Sequence, residues 1–237
     1  MNETHEAPAI VGQAERFLTY LHANRVRVSQ ESGLIEKKNL QEIARLFDPT
    51  AGRYGYLPDE RHYSDVYYAD TLCRFSGMTT CSDGVLSVSQ YGYLFLSREP
   101  ERRLIMLASA YVNDYPWSVL FPRGDLGQKI TQRRADVLDI VLALEPGSAV
   151  QLDEFSDGLR EKLGMTLSDK NPPYPSLIFG WVIRQILIKP LSRLGITRLL
   201  TDDGSPVEDI RSARSFELTR DGKELLMLRE VKYAGVR

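Results

Sequence analysis

Phe216-Glu217-Leu218-Thr219-Arg220-Asp221-Gly222-Lys223-Glu224-Leu225-Leu226 is the stretch whose reading decides the fold. It opens with strand-like alternation, Phe216 and Leu218 on one face and Glu217 on the other. Thr219 breaks the alternation where a helix can begin. Its hydroxyl is able to accept a hydrogen bond from a free first-turn amide, and Leu225 and Leu226 start a buried stripe. Removing that hydroxyl in Thr219→Ala is expected to cost about 1 kcal/mol. A looser copy stands 130 positions upstream (219 − 89): Leu86-Ser87-Val88-Ser89-Gln90-Tyr91-Gly92-Tyr93-Leu94-Phe95-Leu96. Ser89 aligns with Thr219, Gly92 with Gly222, and Phe95-Leu96 with Leu225-Leu226.

Working outward, 237 residues suffice for two small domains, each with its own core. A hydrophobic share of 43% and a charged share of 26% are those of an ordinary globular chain. The formal net charge of −2 supplies no global field toward nucleic acid or anionic lipid, so local patches would have to carry such binding. Cys73 and Cys81 are too few for a disulfide framework and lack the companions of a zinc site. They read as reduced thiols in or near a core, which fits a cytoplasmic protein. Met1 to Pro8 is polar and lacks the apolar run of a signal peptide. The most apolar segment, Leu177 to Leu194, is interrupted by Arg184, Gln185, Lys189 and Pro190, so a core helix is expected there and not a membrane span.

In chain order, Met1 to Ile10 reads as a loose tail and Gly12 to Ala23 as a first helix, with Phe17, Leu18 and Leu21 at helical spacing. Val26 and Val28 can form a short strand. Ile35, Leu40, Ile43, Leu46 and Phe47 form the stripe of a second helix that stops before Pro49. After a Gly- and Tyr-rich loop from Thr50 to Pro58, a third helix is expected from Glu60 to Phe75, then a hairpin around Ser82-Asp83-Gly84. Arg102 to Asn113 reads as a helix, and Tyr115-Pro116-Trp117 to Pro122 as an aromatic turn and short helix. The second half repeats the order. Thr131 is placed to cap a helix carrying Val137, Leu138, Val141, Leu142 and Leu144. Ala149 to Leu152 can pair as a strand, and Asp153 to Leu163 forms a helix closed by Gly164. A proline-rich loop from Ser168 to Pro175 follows, then one helix from Ser176 to Leu194 that Gly195 ends. Strands at Ile196–Leu200 and Ser215–Leu218 flank a long loop, Thr201 to Arg214.

Helix, strand, helix, helix, hairpin and closing helix, with the two Leu-Ser/Thr…Gly…Leu endings, resembles the winged-helix superfamily over about two-thirds of the chain. The resemblance implies an α+β, mostly helical fold: winged-helix domains at 1–98 and 129–237, joined by a helical and aromatic connector at 99–128. It further implies a third helix able to lie in a DNA groove and a wing able to touch phosphates. On that basis the chain reads as a DNA-associated transcriptional regulator of winged-helix type, acting on double-stranded DNA as a homodimer. The alternative is a protein-interaction or dimerisation module that uses the same domains without nucleic acid.

The candidate DNA contacts are Arg61, His62, Tyr63, Ser64 and Tyr67 on the first third helix, with the basic groups Lys37, Lys38, Lys129, Arg133 and Arg134. Glu60, Asp65 and Asp70 share that helix and would repel a phosphate backbone, so a solvated or partner-facing helix is the competing reading. The equivalent helix of the second half is apolar on nearly every side and its loop is acidic, which places a protein partner or dimer ahead of DNA there. Trp181, Ile178, Arg184 and Ile188 are the candidate interface residues. Catalysis finds little support: His5, His22 and His62 lack metal-type spacing, no Gly-rich phosphate loop is present, and no nucleophile stands beside a base. No cofactor is expected.

Overall fold

The computed structural model describes residues 8–51, 59–122, 125–165 and 175–228. The expectations for Met1 to Ala7, for most of the Thr50–Pro58 loop and for the Ser168–Pro175 loop fall largely outside those residues. The chain is mostly helical α+β, with two small antiparallel sheets, and divides into two units, Met1–Tyr115 and Pro116–Arg237.

In unit 1, α1 (Ala9–Ala23), β1 (Val26–Arg27), α2 (Lys37–Phe47), α3 (Ser64–Phe75), β2 (Thr79–Ser82), β3 (Val85–Val88), α4 (Gln90–Leu96) and α5 (Pro100–Asn113) follow one another. The sheet order is β1-β3-β2, so the hairpin's second strand lies in the middle, with Val26 opposite Leu86 and Thr79 opposite Val88. Phe17, Leu18, Leu40, Ile43, Val66, Leu72, Leu86 and Phe95 form the core. The segment 99–128 is shared between the units, and α5 belongs to the first. Arg103 fastens it: the guanidinium donates to the terminal carbonyls of α4 at Phe95 and Leu96 (3.2 and 2.7 Å) and pairs with Glu15 of α1 at 2.7 Å.

Several expectations for unit 1 need correction. The first helix begins at Ala9, ahead of Gly12, because Ile10 and Val11 are buried and extend its stripe. Ile35 is not on α2; it bridges Val28 as extended chain, and Leu46 is exposed. The helix expected from Glu60 to Phe75 is broken. Glu60–His62 is a 3-10 turn capped by Asp59, Tyr63 leaves the helical region (φ −98°, ψ 75°), and α3 starts at Ser64.

Unit 2 runs α6 (Leu126–Gln132), α7 (Arg134–Leu142), β4 (Val150–Gln151), α8 (Leu152–Lys162), α9 (Pro175–Ile183), α10 (Lys189–Arg193), β5 (Thr197–Leu200), β6 (Pro206–Val207), β7 (Ser215–Leu218) and α11 (Arg220–Met227). Its sheet order is β4-β7-β5-β6. The helix expected from Thr131 is two helices that meet at Arg133 (φ −99°, ψ 22°), and Thr131 is no cap. It lies inside α6, where its hydroxyl donates to the Gly127 carbonyl and accepts from the Ser118 amide. The rod expected as one α-helix to Leu194 contains a π-turn, Arg184–Ile188, between α9 and α10. Pro190 accounts for it: a proline has no N–H to donate and its ring crowds the preceding turn, so widening that turn keeps the rod continuous.

One joint recurs in both units, atom for atom. Gly77 (φ 74°) and Gly195 (φ 69°) end the helix ahead of the hairpin in the left-handed conformation that glycine adopts without strain. The next amide closes back on the helix, Met78 to the Cys73 carbonyl and Ile196 to the Leu191 carbonyl, at 2.8 and 2.9 Å. After the hairpin, the Ser89 and Thr219 amides donate to the carbonyls of Met78 and Ile196 (2.9 and 3.0 Å). Their hydroxyls donate to Gly77 and Gly195 (2.6 and 2.8 Å) and accept from the amides of Gly92 and Gly222 (3.0 and 2.9 Å). A single hydroxyl in each unit thus ties the end of one helix to the start of the next. The span from glycine to capping hydroxyl is 12 positions in unit 1 (89 − 77) and 24 in unit 2 (219 − 195). The additional chain in unit 2 carries β6, which pairs Val207 with Leu199 and makes the expected wing part of the sheet.

Candidate interaction surfaces

The candidate DNA contacts of unit 1 stand at the start of α3, but a carboxylate stands among them. Asp59 accepts from Arg61 Nη2 at 2.6 Å and lies 3.1 Å from His62 Nδ1. Arg61 beside it is the main reason its carboxyl is held down at about 2. Ser64 donates to Asp65 at 3.3 Å, and Tyr67 is half-buried. Lys129 pairs with Asp125 at 2.6 Å, and Arg133 with Asp136. Arg134 packs its guanidinium over the Trp117 ring, 5.3 Å from the centroid. Lys37 and Lys38 lie in the first turn of α2, both exposed. Exposed ion pairs of this kind contribute little to stability, yet each gives an approaching phosphate a neutral pair to meet in place of a cation.

Two of the acids expected to face solvent do not. Glu60 and Asp70 are buried together with half of Arg74, and they brace the interior of unit 1. Sequence reasoning missed this cluster. Its one legible signal is the four-residue spacing of Asp70 and Arg74 on a helix, which allows an ion pair but says nothing of burial.

In unit 2 the third-helix face is apolar and open. Leu177, Ile178 and Trp181 are 63, 51 and 52% exposed, and their spacing puts them on one side of α9. Phe121 meets the Trp181 ring edge-on, centroids 5.1 Å apart, which fixes the indole's orientation. Behind this face Phe179, Val182 and Ile183 enter the core. The other two candidate interface residues lie elsewhere. Ile188 is fully buried and presents no surface, and Arg184 is committed to Asp153 at 2.8 Å and to the Ala213 carbonyl. In the Thr201–Arg214 segment, Arg211 pairs with Asp209 and Arg214 lies 3.7 Å from Asp202.

Among the described residues no three His, Cys, Asp or Glu side chains gather as a metal site would require, and no helix is long and apolar enough to cross a membrane. Comparison with known proteins adds no relative: no family model, no curated protein and no solved structure matches this chain.

Proposed function

We propose that this chain is a protein-interaction module made of two winged-helix-type units, and that the second unit pairs with a second copy through α9. The supporting observation is the exposure of Leu177, Ile178 and Trp181 along one side of that helix. An apolar strip of this kind is self-complementary, so a two-fold contact satisfies both copies without any further component. Aromatic and aliphatic anchors at the centre of such a contact supply most of its affinity. Electrostatics argue the same way, because Arg61, Lys129, Arg133 and Arg184 each hold a carboxylate at contact distance. Sedimentation over a range of concentrations tests the proposal. The wild type should pass from monomer to dimer, and the Leu177→Lys/Ile178→Lys variant should stay monomeric with an unchanged melting curve. A wild type that is monomeric throughout, or a variant that dimerises equally well, overturns it.

A second reading, association with duplex DNA through unit 1, is supported by the start of α3, where Tyr63 makes no side-chain capping bond and the exposed Arg61 and His62 stand beside it. Titration with duplex DNA at rising salt discriminates. DNA association predicts binding that weakens steeply as counterions compete, and the absence of binding at low salt removes this reading.

A further inference from the structure

Unit 1 encloses two acids and one base. Glu60 has no exposed surface and Asp70 is 2% exposed. Glu60 Oε2 accepts from the Ile35 amide at 2.7 Å, and Asp70 Oδ1 accepts from Arg74 Nε at 2.8 Å. Arg74 Nη1 donates to the Gly33 carbonyl at 2.8 Å. Two side chains, Glu60 from the turn before α3 and Arg74 of α3, therefore grip the link between β1 and α2 at Ile35 and Gly33, and Asp70 holds Arg74 in place. Glu60 Oε1 and Arg74 Nη2 are buried without a hydrogen-bond partner among the described residues.

The charges do not balance. Two carboxylates against one guanidinium leave an uncompensated negative charge away from water, a penalty that a buried carboxyl avoids by keeping its proton. We propose that the Glu60–Asp70–Arg74 cluster takes up one proton when unit 1 folds, and that this proton latches the β1–α2 link onto α3. Asp70 has the direct ion pair with Arg74, so the proton resides on Glu60. Burial first, and the neighbouring Asp70 charge second, raise the Glu60 carboxyl from 4.5 to about 9. Burial raises Asp70 as well.

The other groups facing the cluster come from several elements. Tyr67 and Cys73 lie on α3 and Tyr115 follows α5; burial raises all three, which keeps them neutral while Glu60 titrates. Arg61 of the same turn is paired with Asp59, and Cys81 acts on Arg74 from β2. A carboxyl whose folded value lies above its unfolded one contributes stability that is complete below 4.5 and is lost as pH rises to about 9. Across that window the folding equilibrium should fall about tenfold per pH unit on account of this proton.

The test compares Glu60→Gln with the parent, both as full chains carrying Cys81→Ser, which removes the exposed thiol on β2. Glutamine keeps an acceptor for the Ile35 amide and carries no proton to lose. Denaturant unfolding followed by far-ultraviolet circular dichroism between about pH 5 and pH 8 should show the variant gaining on the parent by about tenfold in folding equilibrium per pH unit. A difference that does not change with pH overturns the proposal. Carbon NMR of the Glu60 carboxyl in the unsubstituted protein decides independently, even if the variant does not fold. A protonated carboxyl at neutral pH supports the latch, and an ionised one overturns it. Amide exchange at Gly33–Ile35 completes the test: raising the pH past 9 should speed exchange beyond its intrinsic rise in the parent and not in Glu60→Gln, and equal behaviour in both overturns the latch.

Discussion

Gly222→Ala is the substitution for which the shared joint makes the sharpest prediction. A Cβ at that position would stand 2.1 Å from the Ile196 carbonyl oxygen, 2.5 Å from its Cα and 2.6 Å from its carbonyl carbon. Comfortable contact needs about 3.5–4.0 Å between carbon atoms, and all three obstacles are backbone, so no side chain can swing away. The start of α11 has to withdraw from β5 by roughly 1 Å or more. That motion pulls on the Thr219 amide bond to Ile196 and on both hydrogen bonds of the Thr219 hydroxyl. Overpacking of this kind costs about 1–3 kcal/mol, and each strained hydrogen bond adds about 0.5–1.5 kcal/mol. Alanine returns about 0.5–1 kcal/mol through its better helix propensity, which leaves a net loss of about 4 kcal/mol. Gly158→Ala is the internal control, since a Cβ on that α8 glycine meets nothing within 4 Å and should stabilise by about 0.5–1 kcal/mol. Both tryptophans of the chain, Trp117 and Trp181, are in unit 2, so urea unfolding followed by tryptophan emission reports on the unit that carries both substitutions. Equal stability of Gly222→Ala and the wild type would refute the close approach of helix and strand, and with it the reasoning for both units.

Further outcomes follow from the same geometry. Ser89→Ala and Thr219→Ala should each cost about 1–2 kcal/mol by thermal or denaturant unfolding, because each removes a cap and a bond across the joint. Thr79 and Thr197, at the same place in the two hairpins, bury hydroxyls that have no hydrogen-bond partner among the described residues. Thr197→Val should therefore be neutral or stabilising by about 1 kcal/mol, the opposite sign from Thr219→Ala in the same assay. Arg61→Ala should let the Asp59 carboxyl, held at about 2, titrate closer to its ordinary 3.8, as read by NMR. Since Asp59 is depressed in the folded state, its contribution is present above 3.8 and lost as pH falls toward about 2, a window the variant should narrow.

The strand-to-helix joints were legible because they depend on local chemistry: a hydroxyl after an alternating strand, a glycine three positions on, and apolar residues one turn later. Most of the units' helices and strands were legible from period alone, with α6 and β6 the exceptions. The misses have tertiary causes. The π-turn before Pro190 arises because the rod is held continuous by burial on several sides, whereas an exposed helix would end there. The Thr131 hydroxyl turns inward to accept from the Ser118 amide of the 3-10 segment at Trp117–Leu120, a tertiary contact that the short helix expected there does not reveal. β6 is two residues long and begins with proline, so its pairing exists only because β5 presents an edge. At the candidate surfaces, residue type singled out Trp181 and Ile178, both of which are exposed on α9. It could not separate them from Ile188, the last residue of the π-turn, which is buried in the core. Asp59 explains why a run of Arg, His, Tyr and Ser is less basic than it reads: the neutralising group sits immediately outside the run.

Acrylamide quenching of tryptophan emission tests the proposed α9 interface most directly. Trp117 is fully buried and Trp181 is half-exposed, so collisional quenching in the native protein reports on the α9 face. The account predicts that quenching of Trp181 falls as protein concentration rises through the monomer–dimer transition, and stays high in Leu177→Lys/Ile178→Lys. Quenching that is independent of concentration while the protein dimerises would place the contact elsewhere and contradict the account.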